Sequence, residues 1–101
     1  MSETETNPFE AIFDIVRAIP AGFVMSYGQV AADCRATART VGWAMSQAPE
    51  GVPWHRVVGS DGYLRIGRRS PELQRIQRQL LEDEGVVVQE NGCVEMERFR
   101  A

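Results

Sequence analysis

Apolar residues recur at Phe9, Ile12, Phe13, Val16 and Ile19, the spacing that turns one face of a helix over residues 8–18 toward a core. Asn7 is placed to cap this helix, with Pro8 at its first position, and Pro20-Ala21-Gly22 ends it. Ser26 and Gln29 stand three apart as a capping box, opening a short helix to about Asp33. After a break near Arg35-Ala36, Thr37 can cap a third helix to about Gln47, with Ala38, Val41, Ala44 and Met45 on one face. Two short helices across a tight turn make a helix-turn-helix. In that motif the second helix enters a DNA groove N-terminus first, which puts Thr37, Arg39 and Thr40 nearest the nucleic acid. Taken alone, Arg39 reads first as a solvated surface charge.

The second half carries shorter periods. An irregular loop over residues 48–53 holds two prolines. Residues 56–58 and 63–66 flank Gly59-Ser60-Asp61-Gly62 and read as a β-hairpin, a wing on the helix-turn-helix. Gly67-Arg68-Arg69 is a basic loop. Ser70 and Pro71 open a further helix whose apolar stripe is Leu73, Ile76, Leu80 and Leu81, with Arg75 and Arg78 on its polar side and Gly85 as its stop. Asn91-Gly92 between residues 86–88 and 93–96 signals a second hairpin. The pattern predicts a mainly α fold with small β-hairpins, a winged helix-turn-helix, as one domain over residues 1–101 with 1–6 frayed.

Composition narrows the class. An apolar fraction of 44% supports a core for a 101-residue domain, and no apolar run reaches the length of a membrane span. The N-terminus lacks a signal-peptide layout, so a cytoplasmic, nucleoid-associated protein is expected. Cys34 and Cys93 lack metal-ligand spacing and read as packing residues; no metal or cofactor is expected. Net charge is −3, yet it is unevenly spread. Residues 1–16 carry −4, residues 17–81 carry +5 from nine arginines against four acids, and residues 82–101 carry −4. A basic middle suits binding to DNA through one face.

Pro53-Trp54-His55-Arg56-Val57-Val58 holds the chain's one histidine and resembles the Pro-Cys-His-Arg-Val signature of O6-alkylguanine-DNA alkyltransferases. The resemblance extends, in order, to residues 24–31, which look like the segment entering that family's helix-turn-helix. Residues 38–45 look like its recognition helix and residues 80–85 like its closing helix. Trp54 stands where the family has its nucleophilic cysteine, and the N-terminal domain of many members is missing from this sequence. Those two features define the alkyltransferase-like proteins, which the chain resembles.

The resemblance implies a set of roles. Tyr27 would crowd the target phosphate and help the nucleotide swing out, and Arg39 would fill the vacated stack. Met45, Tyr27 and Trp54 would line the pocket, with backbone carbonyls near Trp54 and Val57 receiving the guanine amino group. Arg68 or Arg69 would reach the base or the phosphates; Gly67 occupies part of the matching register and leaves the choice open. His55 and Glu84, which relay the cysteine proton in the family, would be left as a buried polar pair with nothing to activate. Indole offers an N–H donor and no nucleophile at neutral pH, so no catalytic residue is expected. Read without the resemblance, Tyr27 and Trp54 could equally be packing aromatics. Trp43 is larger than the small residue often found at its position and could add minor-groove contact or fill core.

The implied function is binding of double-stranded DNA containing O6-alkylguanine, extrusion of the damaged nucleotide without repair, and hand-over to nucleotide excision repair proteins by a monomer. One alternative is a residual enzyme using another nucleophile, which covalent mass gain on alkylated DNA would reveal. The other is a winged-helix transcription regulator of undamaged DNA, which would need base-reading side chains that a helix rich in Ala, Gly and Thr offers sparsely.

Overall fold

The computed structural model describes residues 9–101; the Asn7 cap, Pro8 and the expected fraying of residues 1–6 lie outside them. Helix α1 (Glu10–Arg17) buries Ile12, Phe13 and Val16. Helix α2 (Tyr27–Cys34) opens on the complete capping box. Ser26 Oγ accepts from the Gln29 amide at 3.0 Å, and Gln29 Oε1 accepts from the Ser26 amide at 3.1 Å. Arg35, left-handed at φ 58°, turns the chain out of α2. Thr37 then caps α3 (Ala38–Ser46), its Oγ1 accepting from the Thr40 amide at 3.1 Å. Val30, Ala31, Val41, Ala44 and Met45 close with α1 and Val52 into one core. The helix-turn-helix stands as the sequence predicts, because its signals are local caps.

Strands β1 (Met25–Ser26) and β2 (Val57–Val58) pair in parallel, Met25 with Val57 and Ser26 with Val58. Successive strand residues point to opposite faces. Val57 accordingly enters the helix-turn-helix core, while Val58 joins a second core of Val24, Leu64, Leu81, Val86, Val88, Val94 and Phe99.

The wing departs from the expected hairpin. Its turn forms, with the Gly59 amide donating to Tyr63 O at 2.9 Å and the Gly62 amide to Gly59 O at 2.8 Å. The second arm does not: residues Arg65–Arg68 coil into a 3-10 turn. Its pairing goes to the next turn instead. Tyr63 pairs with Cys93, the Leu64 amide donates to Gly92 O at 2.9 Å, and Gly62 (φ +87°) lies so close to the Val94 backbone that no Cβ could be placed there. The Asn91-Gly92 turn closes as expected and pairs Val88 with Val94, but the chain then winds into a short helix α5 (Met96–Phe99) rather than lengthening a strand. The chain end pairs beside Val24, whose amide donates to Phe99 O and whose carbonyl accepts from Ala101, both at 2.8 Å.

Helix α4 (Pro71–Asp83) is capped by Ser70, has Pro71 at its first position and stops at Gly85 (φ +88°), where the Val86 amide reaches back to Leu81 O at 3.0 Å. Its buried face is not the predicted stripe. Leu81 is buried, but Leu73 and Ile76 are 41% and 45% exposed, while Gln77 is 1% exposed. The inner face is a row of donors. Gln74 Nε2 reaches Leu64 O at 2.9 Å, Gln77 Nε2 reaches His55 O and Val57 O at 3.1 and 3.2 Å, and Arg78 reaches Val88 O and Gln89 O. Helix α4 packs on irregular turns, whose carbonyls must find donors when buried. Amides and a guanidinium therefore occupy places that apolar counting gives to leucine and isoleucine.

Candidate nucleic-acid interface

The first turn of α2, the outer side of α3 and the two 3-10 turns (Trp54–Arg56 and Arg65–Arg68) enclose an open cleft of about 690 Å³. Of the residues singled out from sequence, Tyr27, Arg39, Met45, Trp54 and Arg69 line it together. Each is placed by an element already described. The Ser26 cap fixes Tyr27 as the first residue of α2, and Thr37 sets Arg39 in the first turn of α3. Trp54 begins the 3-10 turn, its ring edge-on to His55 at 6.3 Å and 88°.

Three others are not in the cleft wall. The Thr37 hydroxyl is engaged in its cap and lies 2.9 Å from Thr40 Oγ1. Val57 is buried, and its carbonyl, expected to face a ligand, already accepts from Gln77. Arg68 sits over the Tyr63 ring at 5.6 Å, while its neighbour Arg69 faces the cleft. Of these two arginines, Arg69 alone lines the cleft. Arg65, Ile66 and Gln77 line the cleft without having been singled out. No local signal marks Arg65 and Ile66, since the alternation that suggests a strand there places them on the wing. Trp43, left open between groove and core, is 62% exposed on the cleft rim.

Behind Trp54 lies a polar cluster. His55 Nε2 is 2.9 Å from Glu84 Oε2, and Arg56 grips the same carboxylate through Nε at 3.0 Å and Nη2 at 2.6 Å. Burial alone would raise the Glu84 carboxyl; hydrogen bonds from Arg56 and His55 outweigh it and bring the pKa to about 2. Glu84 is therefore ionised throughout the physiological range, and its second oxygen lies 3.4 Å from the Gly22 amide. Sequence reading pairs His55 with Glu84 and misses Arg56, which makes the larger share of the contacts.

The cleft is basic and apolar at once. Arg39, Arg65 and Arg69 line it, and none of its described lining residues is acidic. Burial raises the Tyr27 phenol, an effect the Arg65 charge only partly offsets, so Tyr27 stays a neutral hydrogen-bond donor. Neither cysteine lines the cleft; the Cys34 thiol donates to Val30 O at 3.2 Å within α2. Among the described residues no cluster of three or more side chains could hold a metal ion, and no helix is long and apolar enough to cross a membrane. Guanidinium groups, a phenol, two indoles and a thioether can bind a polyanion and an aromatic base, and they include no thiol to accept an alkyl group.

Residues 7–86 match the DNA-binding domain of 6-O-methylguanine DNA methyltransferase. The chain belongs to that family. Within it, the chain is 42% identical over 102 residues to the DNA base-flipping protein of Escherichia coli strain K12, covering 97% of this chain and 77% of that protein. It is 38% identical over 91 residues to alkyltransferase-like protein 1 of Schizosaccharomyces pombe, covering 86% and 83%. The crystal structure of S. pombe Atl1 in complex with damaged DNA containing O6-carboxymethylguanine aligns with a TM-score of 0.84 at 31% identity, over 100% of this chain and 96% of that one. The fold is thus that of the alkyltransferase-like members of the family, mainly helical around a helix-turn-helix.

Proposed function

We propose that this protein recognises O6-alkylguanine in duplex DNA, rotates the damaged nucleotide into the cleft, holds it without removing the alkyl group, and marks it for nucleotide excision repair. The observation that carries the reading is Trp54. It occupies the position of the family's nucleophilic cysteine, and it lines one cleft with Tyr27, Arg39 and Met45. A base inside a duplex must leave the stack to be inspected, at a cost of about a few kcal/mol that is least for a weakened pair. O6-alkylation weakens pairing with cytosine, so extrusion and cleft contact both favour the lesion. Three arginines supply the attraction to phosphate, and the indole, thioether and phenol receive the base and its alkyl group, each buried methylene contributing about 0.8 kcal/mol. The relatives named for base flipping, and one solved with damaged DNA, support the reading. The protein acts in this view as a monomer among cytoplasmic DNA, and its signal is the persistent complex itself.

Two duplexes that differ in one O6-methylguanine, compared at one fixed salt concentration, test this directly. Binding at least about tenfold tighter to the lesion duplex, about 1.4 kcal/mol, with no covalent mass gain, is expected. Equal binding refutes lesion recognition, and a mass gain of one methyl group refutes the non-enzymatic reading.

A further inference from the structure

Trp43 lies on the side of α3 opposite its buried residues Val41, Ala44 and Met45, one turn beyond Arg39, and both line the cleft. An indole 62% exposed on a small domain is unusual, since large aromatics are mostly buried. This one is held in place. Its ring packs against Phe9 at 6.5 Å and 58°, and Phe9 in turn meets buried Phe13 edge-on at 6.0 Å. A series of three rings therefore runs from the core to the cleft rim. The core side of α3 is already filled, so the indole cannot fold inward. Beside it, Gly42 presents bare helix backbone, and a Cβ there would meet nothing within 4 Å.

We infer that Gly42 and Trp43 form a shelf for the DNA strand itself. The bare backbone at Gly42 lets the strand approach, and the indole takes the apolar sugar and base edge of a nucleotide next to the extruded one. The inference rests on the DNA-binding reading and extends it. Arg39, Arg65 and Arg69 around the same cleft make a nucleic-acid strand, rather than an apolar partner, the occupant that the charge favours. The shelf supplies an uncharged share of the affinity, indifferent to the lesion and to salt. It operates on undamaged DNA as well.

The test measures affinity for an undamaged and an O6-methylguanine duplex across a salt series. Trp43→Ala is expected to weaken both by the same factor, about tenfold, as for loss of an aromatic contact to one nucleotide. Its slope of log affinity against log salt stays that of the parent, because no phosphate contact is removed. Gly42→Leu supplies an opposing readout. It replaces a mid-helix glycine by a strong helix former in open space, so it should melt at or above the parent temperature while binding both duplexes more weakly. Unchanged affinity in either variant overturns the shelf, and so does a Trp43→Ala loss confined to the lesion duplex. A parent protein that ignores the lesion refutes the proposed function instead, and the undamaged duplex still tests the shelf.

Discussion

Arg56 holds Glu84 through two parallel bonds, Nε to Oε1 at 3.0 Å and Nη2 to Oε2 at 2.6 Å, while its Nη1 donates to Ile19 O at 2.8 Å. One guanidinium thus ties the end of α4 to the turn after α1, directly behind Trp54. The planar fork explains why arginine rather than lysine is found here. Arg56→Met removes the fork and leaves a carboxylate 17% exposed with His55 and the more distant Gly22 amide beside it. Breaking a largely buried ion pair by deleting one partner destabilises by about 3 kcal/mol or more. Urea denaturation should show that loss, with Arg56→Lys intermediate; a difference below about 1 kcal/mol for Arg56→Met contradicts the assignment.

The same carboxylate sets an acid limit. The Glu84 pKa falls from the ordinary 4.5 to about 2 in the folded protein. A depressed carboxyl contributes stability that is fully present above its unfolded value and disappears as pH falls through its folded value. Stability should therefore decline between about pH 4.5 and pH 2 in a segment that belongs to Glu84. Glu84→Gln lowers the plateau above pH 5 and flattens that segment, as thermal melts at half-unit pH steps would record.

What was legible follows from how local each signal is. Ser26 with Gln29, and Thr37, are caps readable within four residues, and the helix-turn-helix they bound stands where the sequence puts it. Tyr27, Arg39, Met45 and Trp54, which the family resemblance groups as pocket residues, do meet in one cleft; the first three ride on that motif and Trp54 on the 3-10 turn beside it. The misses are tertiary. The sequence pairs residues 56–58 with 63–66, whereas Val57-Val58 pair with β1, and Tyr63 and Leu64 with the residue 92–93 turn. Leu73 and Ile76 belong to a convincing stripe, yet the surface under α4 is backbone carbonyl, which glutamine can satisfy and leucine cannot. Arg56 is invisible as a fork because Glu84 lies 28 residues away.

Gln77 makes the carbonyl argument testable. Its Nε2 donates to His55 O and Val57 O, which fixes the amide orientation and leaves Oε1 buried without a partner. Gln77→Met removes that orphan but also strips two carbonyls of a donor, a net loss of about 1–2 kcal/mol. Gln77→Glu puts a second acceptor against the same carbonyls and should be clearly worse at pH 7. The order parent, then Met, then Glu in urea midpoints is expected; Glu at least as stable as Met means the bridge is not what this side chain contributes.

Arg68 and Arg69 are adjacent, equally charged and both exposed, so only position separates them. Arg69 lines the cleft, whereas Arg68 is engaged over Tyr63 at 5.6 Å. If the cleft is where DNA lies, Arg69→Ala should weaken binding and reduce the slope of log affinity against log salt by about 0.9, the amount for one phosphate contact. Arg68→Ala should leave that slope within about 0.3 of the parent and instead lose up to about 1 kcal/mol of stability with its cation–π contact. Equal slope changes in the two variants would mean that DNA contacts the wing as a whole, and that the cleft rim does not select between its arginines.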